Sequence, residues 1–172
     1  MVNTLFEYAK LGTEEYQLVM SSIDLCSLVR DLATEHYTDF EEHNITLDID
    51  IPDEIITVNG DKNEIRRAVS NLVMNVYKHN PSGIKAKISV AREKDKAVII
   101  IADSGNEIPD DMDIFKPFVT ENSARTIGHG TGRGLAITKR IVERHGEELY
   151  LNKKIKNYSK SFTAEIPIAA EK

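Results

Sequence analysis

The chain has 172 residues and a mass of 19.4 kDa, enough for one domain with a real core. Hydrophobic residues at 41% and charged ones at 29% give the balance of a folded globular protein and exclude a disordered one. The formal net charge of −6 argues against nucleic acid and anionic membrane surfaces as partners, since both reward clustered Lys and Arg.

Residues 1–12 read as the last turns of a helix (Leu5, Phe6, Tyr8, Ala9, Leu11) halted at Gly12. Tyr16 to Ile23 follows as a short strand. Asp24 is a good N-cap, and Leu25, Leu28, Val29, Leu32, His36, Tyr37 and Phe40 recur behind it at helical spacing. Cys26, the single cysteine, falls on the apolar side of that helix and reads as a small buried residue; a disulfide framework is excluded. Ile45, Leu47, Ile49 and Ile51 alternate with polar residues as a half-buried strand that Pro52 closes.

Val58-Asn59-Gly60-Asp61 reads as a turn into a second helix. Asp61 with Glu64 resembles a capping box, and Ile65, Ala68, Val69, Leu72 and Val76 form the apolar stripe behind it. Pro81-Ser82-Gly83 ends that helix. Ile84–Ala91 alternates as a strand, while the unbroken Val98-Ile99-Ile100-Ile101 within Ala97–Ala102 predicts a strand buried on both faces. Residues 103–133 show no period and hold Gly105, Gly128, Gly130 and Gly132, four of the nine glycines, which predicts a long functional loop. A third helix runs from about Gly134 to His145, stopped by Gly146. Glu148–Leu151 and Ser161–Ile168 finish as strands around the polar turn Asn152–Lys160, where Lys153, Lys154 and Lys156 read as solvated. This order predicts one mixed sheet packed against three helices, a two-layer α/β sandwich. No apolar stretch approaches the ~20 residues needed to span a bilayer, and the N-terminus lacks a signal peptide's basic-then-apolar order.

Three clusters carry the chemistry. On the second helix, at about 100° per residue, Asn71, Asn75, Lys78 and His79 share one polar sector. An Asn carbonyl suits a hydrated Mg²⁺, which takes few protein ligands, and a Lys is a point charge for phosphate. A solvated helix face is the alternative for these four alone. Asp103-Ser104-Gly105 directly follows the apolar strand, where a carboxylate can accept a hydrogen bond from an exocyclic amine and a glycine admits a flat ring. A plain turn is the alternative there. Gly128-His129-Gly130-Thr131-Gly132-Arg133-Gly134 precedes the third helix, and backbone N–H groups of such a turn cradle anions. A flexible linker is the alternative. The glycine loop is not the phosphate loop ending in Gly-Lys-Ser/Thr, and it follows no strand closely enough for a dinucleotide fingerprint.

The order Asn71-Leu72-x-x-Asn75, Lys78-His79, Asp103-x-Gly105, Phe115-x-x-Phe118 and Gly130-x-Gly132-x-Gly134-Leu135 resembles the N, G1, F and G2 boxes of sensor histidine kinases. Ala136 to Gly146 is similar to the helix after the last box, and Phe6 to Leu11 followed by Ile23-Asp24-Leu25 resembles the exit from the dimerisation helices. The resemblance covers residues 1 to 168. It implies a Bergerat-type ATP-binding fold, with residues 1–12 the end of a dimerisation helix and linker and 13–172 the catalytic domain. It also implies transfer of the ATP γ-phosphate to a histidine on a dimerisation helix, then traffic with a response regulator. The segment would make no membrane contact and would be the cytoplasmic part of a membrane-anchored receptor.

The family's roles fall on matching positions. Asn75 would coordinate Mg²⁺ beside Asn71, Lys78 would contact phosphate and His79 would line the nucleotide. Asp103 would bind the adenine amine with Gly105 beside the ring, and Phe115 and Phe118 would anchor a lid. Gly130, Thr131, Gly132, Gly134 and Leu135 would lie along the phosphates, with Arg125 approaching the γ-phosphate. Two positions depart from the pattern: the second glycine of the G1 box is Glu107, and the leucine between the last glycines is Arg133. They could pair with each other or weaken ATP binding.

The acceptor histidine of the family precedes the catalytic domain and is followed at once by Asp or Glu. His36, His43, His79, His129 and His145 are followed by Tyr, Asn, Asn, Gly and Gly, so the acceptor is expected on another segment. His36 reads as a core-edge residue, and His145 as a helix C-terminal residue favoured by the macrodipole. Other substrates of the same ATPase superfamily remain readings of the sequence: a serine, as for anti-sigma-factor kinases, or the gyrase and mismatch-repair type. A degenerate domain that binds protein is the reading outside enzymes.

Overall fold

A computed structural model describes residues 2–117, 134–153 and 155–170. Its elements in chain order are α1 (Val2–Leu11), β1 (Met20–Asp24), α2 (Leu25–Glu35), α3 (Tyr37–Glu42), β2 (Thr46–Asp50) and β3 (Thr57–Asp61), then α4 (Lys62–His79), β4 (Lys85–Glu93), β5 (Lys96–Asp103), α5 (Gly134–Arg144), β6 (Leu149–Lys153) and β7 (Lys160–Pro167). The main sheet has five strands in the order β2-β4-β5-β7-β6; only the β2–β4 pair is parallel. It is the mixed sheet of a two-layer α/β sandwich.

Alternation decides which side of each strand meets the helices. Ile88, Ile99, Ile101, Phe162 and Ala164 share one face and are buried against Val69, Leu72 and Val76 of α4 and Leu28, Val29 and Leu32 of α2. Val98 and Ala102, on the opposite face, are also buried, but Ile100 is only half-buried. The two-sided burial expected of Val98–Ile101 therefore stops at Ile100, whose cross-strand neighbours are the small Ser89 and Thr163. Cys26 is fully buried, and burial pushes its thiol pKa up, as for an inert core residue.

Three expectations need correction. Val58–Asp61 is not a turn but part of β3, which pairs antiparallel with β1 in a separate two-stranded sheet; Gly60 faces Ser21 across it. Gly60 is there for space rather than for a turn: its φ is not positive, and a Cβ on it would lie 2.4 Å from Ile65 Cδ1. The helix behind Asp24 is two helices, because the backbone at His36 (φ −91°, ψ 0°) leaves helical geometry. The three helices expected on the sheet are therefore four described ones (α2 to α5), and α1 is the separate helix read at residues 1–12. Asp61 does cap α4, its Oδ1 accepting from the N–H groups of Asn63 and Glu64 at 3.0 and 3.1 Å. Glu64 does not complete the capping box, however: its Oε1 accepts the hydroxyl of Tyr16 at 2.5 Å instead.

α1 lies on the helical layer. Leu11 joins Ala68, Ile137 and Ile141 in a small apolar cluster, Glu7 pairs with Arg67 at 2.5 Å, and the Arg140 guanidinium covers the Tyr8 ring at 4.8 Å. Among the described residues, no helix is long and apolar enough to cross a membrane.

Candidate functional site

α4 is the platform of the site. Its buried stripe (Ile65, Ala68, Val69, Leu72, Val73, Val76, Tyr77) fixes its rotation, leaving Asn71 and Asn75 half-buried and Lys78 and His79 exposed towards its C-terminal end. Asn71 Nδ2 donates to the carbonyl of Gly134 at 3.4 Å, so the first box residue meets the start of α5. Gly134 carries a further bond from Thr138 Oγ1 at 2.8 Å. The sequence-predicted N and G2 motifs are thereby brought together at one point. Leu135 packs beside the core.

Asp103 is the last residue of β5 and is only 1% exposed. Its Oδ1 accepts from Lys160 Nζ at 2.8 Å and from the Gly105 N–H at 2.9 Å. Its Oδ2 is buried and has no hydrogen-bond partner among the described residues. Buried carboxylate oxygens are costly when unpaired, and Glu64 Oε2 is the other such atom among the described residues.

Lys160, on the neighbouring strand β7 and 4% exposed, is a member of the site that the sequence reading left in a solvated turn. Its ammonium also donates to Asn80 Oδ1 at 3.0 Å and the Asn106 carbonyl at 2.5 Å. Asn80 is the second missed residue. It caps α4, its Nδ2 donating to the Val76 carbonyl and its Oδ1 accepting the Asn106 N–H at 3.0 Å. Capping preferences alone permit Asn there, but nothing in the chain order signals that it reaches the loop after β5.

Gly105 has a second reason to be glycine. A Cβ there would sit 2.0 Å from Asn80 Oδ1, so in the described residues the glycine admits the Asn80 side chain. Phe115 meets the core, edge-on to Phe162 at 6.4 Å, with Lys139 Nζ 5.3 Å from its ring centre. Glu107 is exposed and borders a cleft of about 270 Å³ with Ile108, Pro109, Asp110, Lys153 and Ser159. Lys153 there pairs with Asp110 at 2.8 Å rather than standing solvated. Phe118, Arg125, Gly130, Thr131, Gly132 and Arg133 lie outside the described residues.

The histidines have structural partners. His36 Nε2 lies 3.1 Å from Ser70 Oγ and its Nδ1 3.2 Å from the Tyr77 hydroxyl, as a core-edge residue. His145 is not an open helix end: it is 6% exposed, Nδ1 is 2.7 Å from the Ile141 carbonyl and Nε2 accepts the Asp61 N–H. Those partners require the neutral ring protonated on Nδ1, so a charge–dipole interaction does not explain it.

Residues 60–170 match the family described as histidine kinase-, DNA gyrase B- and HSP90-like ATPase. Sensor protein GtcS of Aneurinibacillus migulanus is 32% identical over 95% of this chain and 45% of its own length. Sensor histidine kinase WalK of Bacillus subtilis is 29% identical over 87% of this chain and 25% of its own. The chain spans less than half the length of these curated relatives. Among solved structures, the catalytic domain of histidine kinase ThkA superposes with a TM-score of 0.76 at 26% identity, covering 87% of this chain and 98% of that one.

Proposed function

The chain belongs to the histidine kinase-, DNA gyrase B- and HSP90-like ATPase family, as an ATP-binding domain of the two-component sensor histidine kinase type, and from that premise we propose a protein-histidine kinase activity. The domain binds Mg·ATP and presents its γ-phosphate to a histidine on a dimerisation helix, after which a response regulator takes the phosphoryl group. The observation that carries this reading is Asp103 Oδ2, a buried acceptor at the end of β5 without a donor among the described residues. The exocyclic amine of adenine is a donor of the right kind.

The residues present fit the rest of the ligand. Asn75 offers a neutral amide oxygen, the ligand class that a largely hydrated Mg²⁺ accepts, with Asn71 one turn away. Mg²⁺, when bound, would neutralise charge on the phosphates. Lys78 supplies a point charge for phosphate oxygens, His79 lines the nucleotide, and Gly134 with Leu135 opens α5 towards the phosphates. Gly130, Thr131 and Gly132 extend that cradle, Phe118 joins Phe115 in anchoring a lid, and Arg125 approaches the γ-phosphate; these roles come from the sequence pattern. Residues 1–12 are the end of the dimerisation helix and 13–172 the catalytic domain. The contacts of Glu7, Tyr8 and Leu11 with α4 and α5 support an entry helix that rests on the nucleotide-binding layer. The segment acts on the cytoplasmic side of a membrane-anchored receptor.

Titration of Mg·ATP against the protein and against Asn75→Ala and Asp103→Ala tests the binding step. Saturable binding that both substitutions abolish is expected, and absence of binding by the unsubstituted protein overturns the reading. Phosphoryl transfer to a separately supplied acceptor helix should give an acid-labile product. An acid-stable product points to a hydroxyl acceptor instead.

A further inference from the structure

Lys160 and Asp103 are Cα partners across the β5–β7 ladder, and both side chains are buried on the helix side of the sheet. An ammonium has three N–H donors. All three are matched here, by Asp103 Oδ1, Asn80 Oδ1 and the Asn106 carbonyl. The lysine thus has no donor left for a ligand. What it does is occupy one carboxylate oxygen of Asp103 while the other stays buried and unpaired among the described residues.

The consequence is chemical selectivity. Both groups bonded to Oδ1, the Lys160 ammonium and the Gly105 N–H, are donors, so the Asp103 side chain serves here as a hydrogen-bond acceptor, the role of a carboxylate. Oδ1 is saturated by Lys160 and Gly105, so rotation of the carboxylate would break two bonds at 2.8 and 2.9 Å. Oδ2 is then a fixed, acceptor-only atom. It welcomes a base with an amine at that position and repels one with a carbonyl oxygen.

Resting on the nucleotide-binding reading above, we propose that Lys160 is a positioning residue that makes the base pocket specific for a 6-amino purine over a 6-oxo purine. It acts through Asp103 and never touches the nucleotide. Asn80 and Asn106 hold the ammonium on the two sides away from Asp103, tying the end of α4 and the loop after β5 to the same centre.

The test measures dissociation constants for Mg·ATP and Mg·ITP, which differ at the purine 6-position, on the full chain and three variants. The unsubstituted protein should favour ATP at least 30-fold, the order expected when a buried polar group would be left facing the wrong partner. Lys160→Met should cut that ratio at least tenfold, Lys160→Gln at least fivefold, and Lys160→Arg should keep it within about threefold, by the same logic of charge and donor retention. Lys160→Gln keeps a donor for Asp103 and decides the matter if the Met variant does not fold. A ratio unchanged in the folded Gln or Met variant, with both affinities reduced equally, overturns the proposal and leaves Lys160 a structural tie. Failure of the unsubstituted protein to bind ATP overturns the nucleotide-binding reading itself; equal binding of ATP and ITP overturns the 6-amino selectivity alone.

Discussion

The imidazole of His145 accepts the backbone N–H of Asp61 at 3.0 Å, joining residues 84 positions apart. The bond runs from the end of α5 to the residue that caps α4, so the two helices that frame the site share one buried anchor. Its geometry is guarded on the α5 side by Gly146, whose φ of +83° closes the helix with a bond from the Glu147 N–H to the Val142 carbonyl.

His145→Leu leaves the Asp61 N–H buried without an acceptor. The expected loss is about 1–3 kcal/mol of unfolding free energy, with a smaller loss for His145→Gln, which keeps an acceptor. Urea titration of both variants followed by circular dichroism measures it. Equal stability of the Leu variant and the parent contradicts the role given to this bond.

Gly105→Ala places a methyl group on Asn80 Oδ1 and must displace that side chain from Lys160 and Asn106. ATP affinity should fall by about tenfold or more, roughly 1.4 kcal/mol. Because the cause is steric, Gly105→Ala and Asn80→Ala combined should cost less than the sum of the two alone, a coupling that a double-mutant cycle reads directly.

Tyr16 and Tyr77 titrate late. Burial first, then the hydrogen bond to Glu64, pushes Tyr16 from 10.0 up to about 12; burial and the nearby Asp39 charge push Tyr77 up to about 12. Each phenol is neutral in the fold and ionises more easily when unfolded. Their contribution is therefore complete below pH 10 and is lost as pH rises towards 12. Thermal unfolding should show a steep fall over that window, shallower in Tyr16→Phe. A parallel fall in parent and variant rules Tyr16 out as a source.

The contacts of α1 differ in depth. Leu11 is 2% exposed, whereas the Glu7–Arg67 pair is about one-third exposed at each side chain. Arg67→Ala should cost no more than about 1 kcal/mol, and Leu11→Ala about 2–5 kcal/mol if α1 unfolds with the domain. Hydrogen exchange of the α1 amides should accelerate far more in the second variant. Equal acceleration would mean that charge, not the apolar cluster, holds the helix.

Periodicity was sufficient to read the helices and strands that carry a buried stripe, because burial writes itself into spacing. α4 with Asn71 and Asn75, the strand ending at Asp103, and α5 from Gly134 all lie where the spacing predicts. β3 was illegible for a local reason: Asn59-Gly60-Asp61 has turn chemistry, whereas the glycine is needed for the close approach of Ile65 and His145 within a strand paired to β1. Lys160 was illegible for a different one. A single lysine in a polar stretch looks solvated, and its burial depends on Asp103, Asn80 and Asn106 converging from three distant segments. The same holds for Asn80, whose capping role is local but whose bonds to the loop are not.

The cross-strand pairing of Asp103 with Lys160 also bears on how the sheet is assembled. Side chains alternate sides along a strand, so sliding β7 by one residue would set the ammonium on the far face and strand the carboxylate in an apolar layer. Correct alignment of the last strand and the proposed selectivity are consequently decided at one rung. A chain that closes its sheet out of step loses the Lys160–Asp103 rung, and with it the pairing on which the proposed base selectivity rests.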